Sequence, residues 1–263
     1  MYNTYYSPNK VANGNFAQIG NEEVTNGDFS QEGNELVNDG DFPLPNTNWS
    51  LGGGSEVTVN GLRTNNTVIT GNSYAIQQLS GSLSGKQFVF TYDVITTNGE
   101  NIAIEQTSNI SLNTSTTGTN KKAYFTWDRG DNYLTIKRAV ANTDVTIDNV
   151  SVKEVGQDWE FGGGWGMGNG VATATSGSGT ASKLRQSISG LSGKSAKVTL
   201  DVSNYGGNGL ILIDFGSTGS AYITSNGTHT FYGNYDQNYF ELYKTDDFSG
   251  DIDNISVKEV GQW

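Results

Sequence analysis

The chain has 263 residues with 27 acidic against 15 basic side chains, a formal charge of −12, and no Lys/Arg cluster that would set apart a basic face, so nucleic acid is not an expected ligand. Cysteine is absent, which removes disulfides and thiolate metal sites, and no 18-residue apolar run exists, so no membrane insertion is expected. With 35 glycines, three prolines, 13 tyrosines and 11 phenylalanines, the composition is one of strands and turns, at a length that allows two ordinary domains.

The predicted elements begin in a polar segment that spells one motif three times. ANGNF ends at Phe16, TNGDF at Phe29 and NDGDF at Phe42, a step of 13 residues, and the last two copies extend to GNEEVTNGDF and GNELVNDGDF. Phe42 is the copy followed at short range by a tryptophan, Trp49. The first sandwich is therefore expected near residues 34–156, with residues 1–33 as an arm built from copies of its opening strand. The stretch MYNTYYSPNKVANGNF has no apolar core of a secretory signal, so the expected location is the cytoplasm of the producing cell.

Further along, the glycine runs at 52–54 and 162–164 lack the Lys-Ser/Thr ending of a phosphate loop and read as turns. Phe88, Phe90, Tyr92 and Val94 alternate, as a strand with one buried face does. In DVTIDNVSVKEV the inward residues are Val145 and Ile147, then Val150 and Val152. That one-residue slip of phase predicts a β-bulge at Asp148-Asn149.

The whole pattern then recurs over residues 157–263. Leu83-Ser84-Gly85-Lys86 matches Leu191-Ser192-Gly193-Lys194, the alternating strand matches Ala196, Val198, Leu200 and Val202, and Ile102 and Ile104 meet Leu210 and Leu212. Phe161 and Trp165 are read as the counterparts of Phe42 and Trp49. IDNVSVKEVGQ at 147–157 returns as IDNISVKEVGQ at 252–262, and Trp263 stands where a third unit would begin. A period near 105 residues is one whole small domain, too long for a solenoid unit. The expected fold is all-β: two tandem antiparallel β-sandwich (jelly-roll) domains preceded by the N-terminal arm.

A domain that opens with LVNDGDF, reaches a tryptophan soon after and closes with IDNVSV resembles the jelly-roll carbohydrate-binding modules found beside cellulases and xylanases, within the galactose-binding-like superfamily. The wording VSVKEVGQDWEFGGGW, with modules joined almost without linker, resembles virion proteins of tailed bacteriophages, in particular tail-fibre and capsid-fibre proteins. That resemblance implies a virion component assembled in the host cytoplasm. It further implies docking to other virion proteins through the arm, contact with host glycans, and a homo-oligomer of the trimeric kind usual in fibres.

A bulge turns a carboxylate and neighbouring carbonyls toward one point, which suits Ca²⁺. The modules resembled commonly hold a structural calcium there, and by position the ligands would be Asp41 with Asp148, and Glu160 with Asp253. Catalysis is not expected, because the single histidine, His229, lies in a polar stretch and no His- or Cys-based set can be assembled around it. Trp49 and Trp165, read as matching, are assigned to the core. Trp127, Tyr232, Tyr235 and Tyr239 are the candidates for stacking on a sugar. Arg129-Gly130-Asp131 is expected at a glycine turn between strands, without an adhesive role. The alternatives to a virion adhesin are a carbohydrate-binding module of a polysaccharide-degrading system and an architectural cement or spacer protein.

Overall fold

The computed structural model describes residues 18–65, 72–177, 182–209, 211–245 and 247–261. Two compact units partition the chain, and they do not follow one another in sequence. One takes Ser30–Gln157 with Gly166–Gly170; the other takes the chain up to Phe29, Asp158–Trp165 and Val171 onward.

The first sandwich has two antiparallel sheets. One runs β10 (Gly118–Thr126), β7 (Gln87–Thr97), β12 (Asp144–Val155), β5 (Gly61–Asn65) and β4 (Ser55–Thr58), with β2 (Glu32–Glu35) also paired to β12. The other runs β3 (Ser50–Gly52), β6 (Tyr74–Gln78), β11 (Tyr133–Arg138), β8 (Ile102–Ile104) and β9 (Ile110–Ser111). The predicted alternation holds: Phe88, Phe90, Tyr92 and Val94 of β7 and Ile147 and Val152 of β12 share one core with Ala75, Ile102, Ile104, Leu134 and Ile136 of the opposite sheet. Burying those faces supplies the main driving force for closing the sandwich.

The second sandwich repeats this order. One sheet runs β20 (Gly227–Asn234), β17 (Ser195–Gly206), β22 (Ser249–Val260), β15 (Val171–Ala174) and β14 (Trp165–Gly168), with β1 (Ile19–Glu22) paired to β22; the other runs β13 (Glu160–Phe161), β16 (Ser182–Ser187), β21 (Tyr239–Lys244), β18 (Ile211–Asp214) and β19 (Ser220–Ile223). Every strand from β3 to β12 thus has its counterpart ten places later. The exception is the opening strand: the counterpart of β2 is β1, which precedes it.

That exception corrects the expected domain plan. Residues 19–29 are the opening segment of the second sandwich, and the first sandwich is inserted between Phe29 and Asp158. The 13-residue repeat therefore marks two opening motifs written side by side, each serving a different sandwich. The copy ending at Phe16 lies outside the described residues.

The two motifs make the same contacts. Gln77 clasps Asn38 through main-chain N–H and C=O, each at 2.7 Å, and Gln186 clasps Thr25 likewise at 2.7 and 2.8 Å. Val150 N–H donates to Gly40 O at 2.8 Å and Ile255 N–H to Gly27 O at 2.9 Å, each at the bulge of a closing strand. A Cβ on Gly40 would stand 1.9 Å from Val150 O, and one on Gly27 2.0 Å from Ile255 O, so only glycine allows this approach. Phe42 packs on Trp49 and Phe29 on Trp159, both with ring centroids 5.2 Å apart. The Trp49 indole N–H donates to Asp39 O at 3.1 Å, and that of Trp159 to Asn26 O at 3.0 Å.

Trp159, not Trp165, is therefore the counterpart of Trp49, and Phe29, not Phe161, that of Phe42. Trp165 stands at the start of β14 and packs on Phe248. One further expectation shifts. Ile102 and Ile104 match the buried Ile211 and Ile213, since β18 turns those side chains inward. The bulges are present, with pairing that breaks between Asp148 and Ser151 and again where β22 faces Thr199–Asp201, and with Asn149 and Asn254 at φ of 50° and 51°. Asparagine tolerates that left-handed conformation better than most residues.

Candidate ligand face and bulge carboxylates

At the first bulge, burial pushes the Asp148 carboxyl above its ordinary range, opposed by the Asn149 N–H and reinforced by the charges of Asp41 and Asp93. At the second, burial does the same to Asp253, opposed by the Asn254 N–H and reinforced by Asp201 and Asp28. Asp28 is thus the counterpart of Asp41. Glu160, expected to share a site with Asp253, lies on β13 opposite Arg185, in the other sheet. The exposed asparagine of each bulge donates to one of these neighbouring carboxylates: Asn149 Nδ2 to Asp93 and Asn254 Nδ2 to Asp201, both at 2.8 Å. Among the described residues no group of three or more His, Cys, Asp or Glu converges as a metal site. Asp93 and Asp201 are held by these amide donors, whereas Asp148 Oδ1 is buried without a hydrogen-bond partner beside Asp41 and Asp93.

Of the four aromatic candidates, two are core. Trp127 is fully buried, its indole N–H donating to Asp131 O at 2.8 Å, and Tyr235 is 1 % exposed against Phe215. They are counterparts: the Trp127 main chain bonds to Gly85 and Lys86 as that of Tyr235 bonds to Gly193 and Lys194. Burial raises the Tyr235 hydroxyl far above the ordinary phenol range. Sequence reading missed the match because one large ring has replaced another of different type. Tyr232 is 67 % exposed on β20. Tyr239 lies half-buried on β21, with the Arg185 guanidinium 3.9 Å above its ring centroid.

Tyr239 belongs to the outer face of the sheet β13-β16-β21-β18-β19, and its counterpart Tyr133 to the same face of the first sandwich. On that first face Tyr74 and Lys137 are cross-strand partners, as Lys183 and Tyr243 are on the second. The two faces differ in how far they are closed. In the second, Glu241 is wholly buried beneath Lys183 Nζ at 3.0 Å and Arg185 Nε at 3.6 Å, and Lys183 caps the Tyr243 ring at 4.5 Å.

In the first, a cleft of about 500 Å³ opens along β6 and β11, lined by Asn72, Tyr74, Ile76, Glu105, Asn109 and Lys137 among others. Gly52 leaves room for the Tyr74 ring to lie across β3: a Cβ there would meet the ring at 2.1 Å. Glu105 is fixed from two sides, by Lys137 Nζ at 3.1 Å and Arg129 Nη1 at 3.0 Å. The Lys137 hydrogen bond, with Arg129 adding to it, holds the Glu105 carboxyl below its ordinary range, so it stays an acceptor rather than a proton donor at neutral pH. Arg129 also pairs with Asp131 at 2.6 Å, so the Arg-Gly-Asp tripeptide is closed on itself. One aromatic ring beside fixed donors and acceptors in an open cleft is the equipment for holding a polyhydroxylated ligand. The ring that matters, Tyr74, was not singled out in the sequence; its adjacency to Gly52 depends on pairing between β3 and β6.

No protein-family profile matches the chain, and no curated protein matches it. Among solved structures, an allantoicase shares 10% identity over 71% of this chain and 77% of its own, with a TM-score of 0.27. The allantoicase of Saccharomyces cerevisiae shares 9% over 72% and 77%, with a TM-score of 0.29. The structure of Sulfolobus Turreted Icosahedral Virus shares 12% over 82% of this chain and 60% of that one, with a TM-score of 0.21. At similarities this low, no activity or partner is carried from these proteins to this chain.

Proposed function

We propose that the chain is a non-enzymatic structural protein of a bacteriophage virion, of the tail-fibre or capsid-fibre kind, whose first sandwich contacts host-surface glycans. The cleft beside Tyr74 carries the glycan part of this reading. Its ring lies open along one strand pair, and Glu105, Lys137 and the two asparagines offer directed hydrogen bonds to hydroxyl groups. The virion part rests on the sequence resemblance, with attachment to other virion proteins through the N-terminal residues and with several chains per assembly. Repetition on one particle would turn weak single contacts into useful avidity.

The test has two arms. In a glycan panel the purified chain binds a subset of bacterial surface polysaccharides, and Tyr74→Ala weakens that binding about tenfold or more while leaving the melting curve in place. Unchanged binding by Tyr74→Ala would move any glycan site elsewhere, and silence across the panel would leave a spacer or cement role. Gradient-purified phage particles should contain the chain by mass spectrometry; its confinement to the soluble lysate would remove the virion assignment.

A further inference from the structure

The described opening motifs share a short list of requirements. A valine is buried (Val24, Val37), and the next residue offers only its main chain to a glutamine. An Asn or Asp follows with φ near 50° and gives its carbonyl to a tryptophan indole. A glycine then meets the bulge, and a phenylalanine packs on the tryptophan. Val24–Phe29 meets all of these for a sandwich whose remainder starts at Asp158, so the motif works when detached from the unit it completes.

Thirteen residues upstream, Val11-Ala12-Asn13-Gly14-Asn15-Phe16 carries the residue types of this list in the same order. Four positions shared by the two described copies depart: Ser7, Pro8 and Asn15 replace their Gly, Asn and Asp, and the carboxylate of Glu22 and Glu35, which accepts from Val257 N–H at 2.7 Å and Val152 N–H at 2.9 Å, is replaced in register by Asn9. An amide oxygen there can still accept, though more weakly.

We propose that Val11–Phe16 is a third opening motif, a strand donor that completes a further sandwich of this same kind. Both closing strands of the chain are already occupied, β12 by the segment containing β2 and β22 by that containing β1. The acceptor is accordingly a sandwich on another polypeptide. It presents the Asp-Asn bulge, the clasping glutamine and the tryptophan, and lacks an opening motif of its own, as the Asp158–Gly261 portion does without Val24–Phe29. Association would follow the logic of strand addition, with main-chain hydrogen bonds giving affinity and the Gly and Phe positions giving register. The inference stands on the geometry of the repeat and does not depend on the virion or glycan reading.

The step of 13 supplies the test. Deleting residues 17–29 brings Val11–Phe16 directly before Ser30, into the place of Val24–Phe29. If the motifs are interchangeable, this variant keeps the thermal transition of the second sandwich within about 5 °C of the intact chain, and Phe16→Ala in the same background lowers it. If the transition is lost, as in a chain of residues 30–263, the proposal is overturned.

Donation between molecules is read by mixing the intact chain with the 30–263 chain. A one-to-one complex by light scattering, abolished by Phe16→Ala in the intact partner, supports it. A complex indifferent to Phe16→Ala, or none at all while the 30–263 chain stays soluble, overturns donation in trans. Should the 30–263 chain aggregate, the 17–29 deletion alone decides.

Discussion

Two glycines carry more of this architecture than their size suggests. Gly27 and Gly40 each let a main chain pass directly over a bulge carbonyl, where an added methyl would stand at 2.0 or 1.9 Å. Gly40→Ala should therefore destabilise the first sandwich and Gly27→Ala the second, by ~1–3 kcal/mol each, read as separate shifts in urea unfolding. The bulge aspartates make a different prediction. Asp148 holds its proton more tightly folded than unfolded, because burial and the neighbouring Asp41 and Asp93 oppose its ionisation. Its charge thus costs stability above the folded pKa, and the cost disappears as pH falls below the unfolded carboxylate range near ~4. Asp148→Asn is expected to raise the melting temperature at pH 7, with the gain fading toward pH 3. A lowered melting temperature at pH 7 would show instead that the carboxylate serves a bound cation. Glu105 has the opposite sign: its folded pKa is depressed beside Lys137 and Arg129, so its contribution is present at neutral pH and is lost as pH falls through the folded value. Glu105→Gln should cost stability at pH 7 and little at pH 3.

At the scale of the element, β1 is the strand whose loss separates the two sandwiches. A chain starting at residue 30 should lose the upper or lower of two thermal transitions and expose Trp159 to quencher, whereas a chain starting at residue 18 should keep both. Identical melting of the 30–263 chain and the intact protein would contradict the pairing of β1 with β22. The sequence carried much of this in readable form. Alternation located β7 and β17, and the phase slip located both bulges, since each signal is local to its strand. The owner of each opening motif was not readable, because GNEEVTNGDF and GNELVNDGDF are nearly the same string and nothing local states which closing strand either will meet. The mistaken pairing of Trp49 with Trp165 followed from that, as did the choice of Glu160 over Asp28. Trp127 and Tyr235 stand among the ligand candidates in the sequence because an aromatic in a polar stretch reads the same whether it plugs a core or faces solvent. Near-identity of the motifs also makes them competitors during folding: β1 is synthesised before β2 and must wait for β22 while β12 is already available.

At the scale of the molecule, one sandwich is inserted into the sequence of another, so both ends of the first, Ser30 and Gln157, join segments held by the second. The same arrangement places Ile19 opposite Val260, so the described chain enters and leaves the second sandwich side by side. Tension applied to the two ends would reach β1 and β22 first and peel them apart one pair at a time. It could load Ser30 and Gln157 only after the second sandwich had opened. Single-molecule pulling should accordingly show two unfolding steps in an obligatory order, the sequence-discontinuous unit before the inserted one, and an order that varies from pull to pull would refute it. The inserted sandwich, with the cleft beside Tyr74, is the part of the chain shielded from load until its host domain has given way.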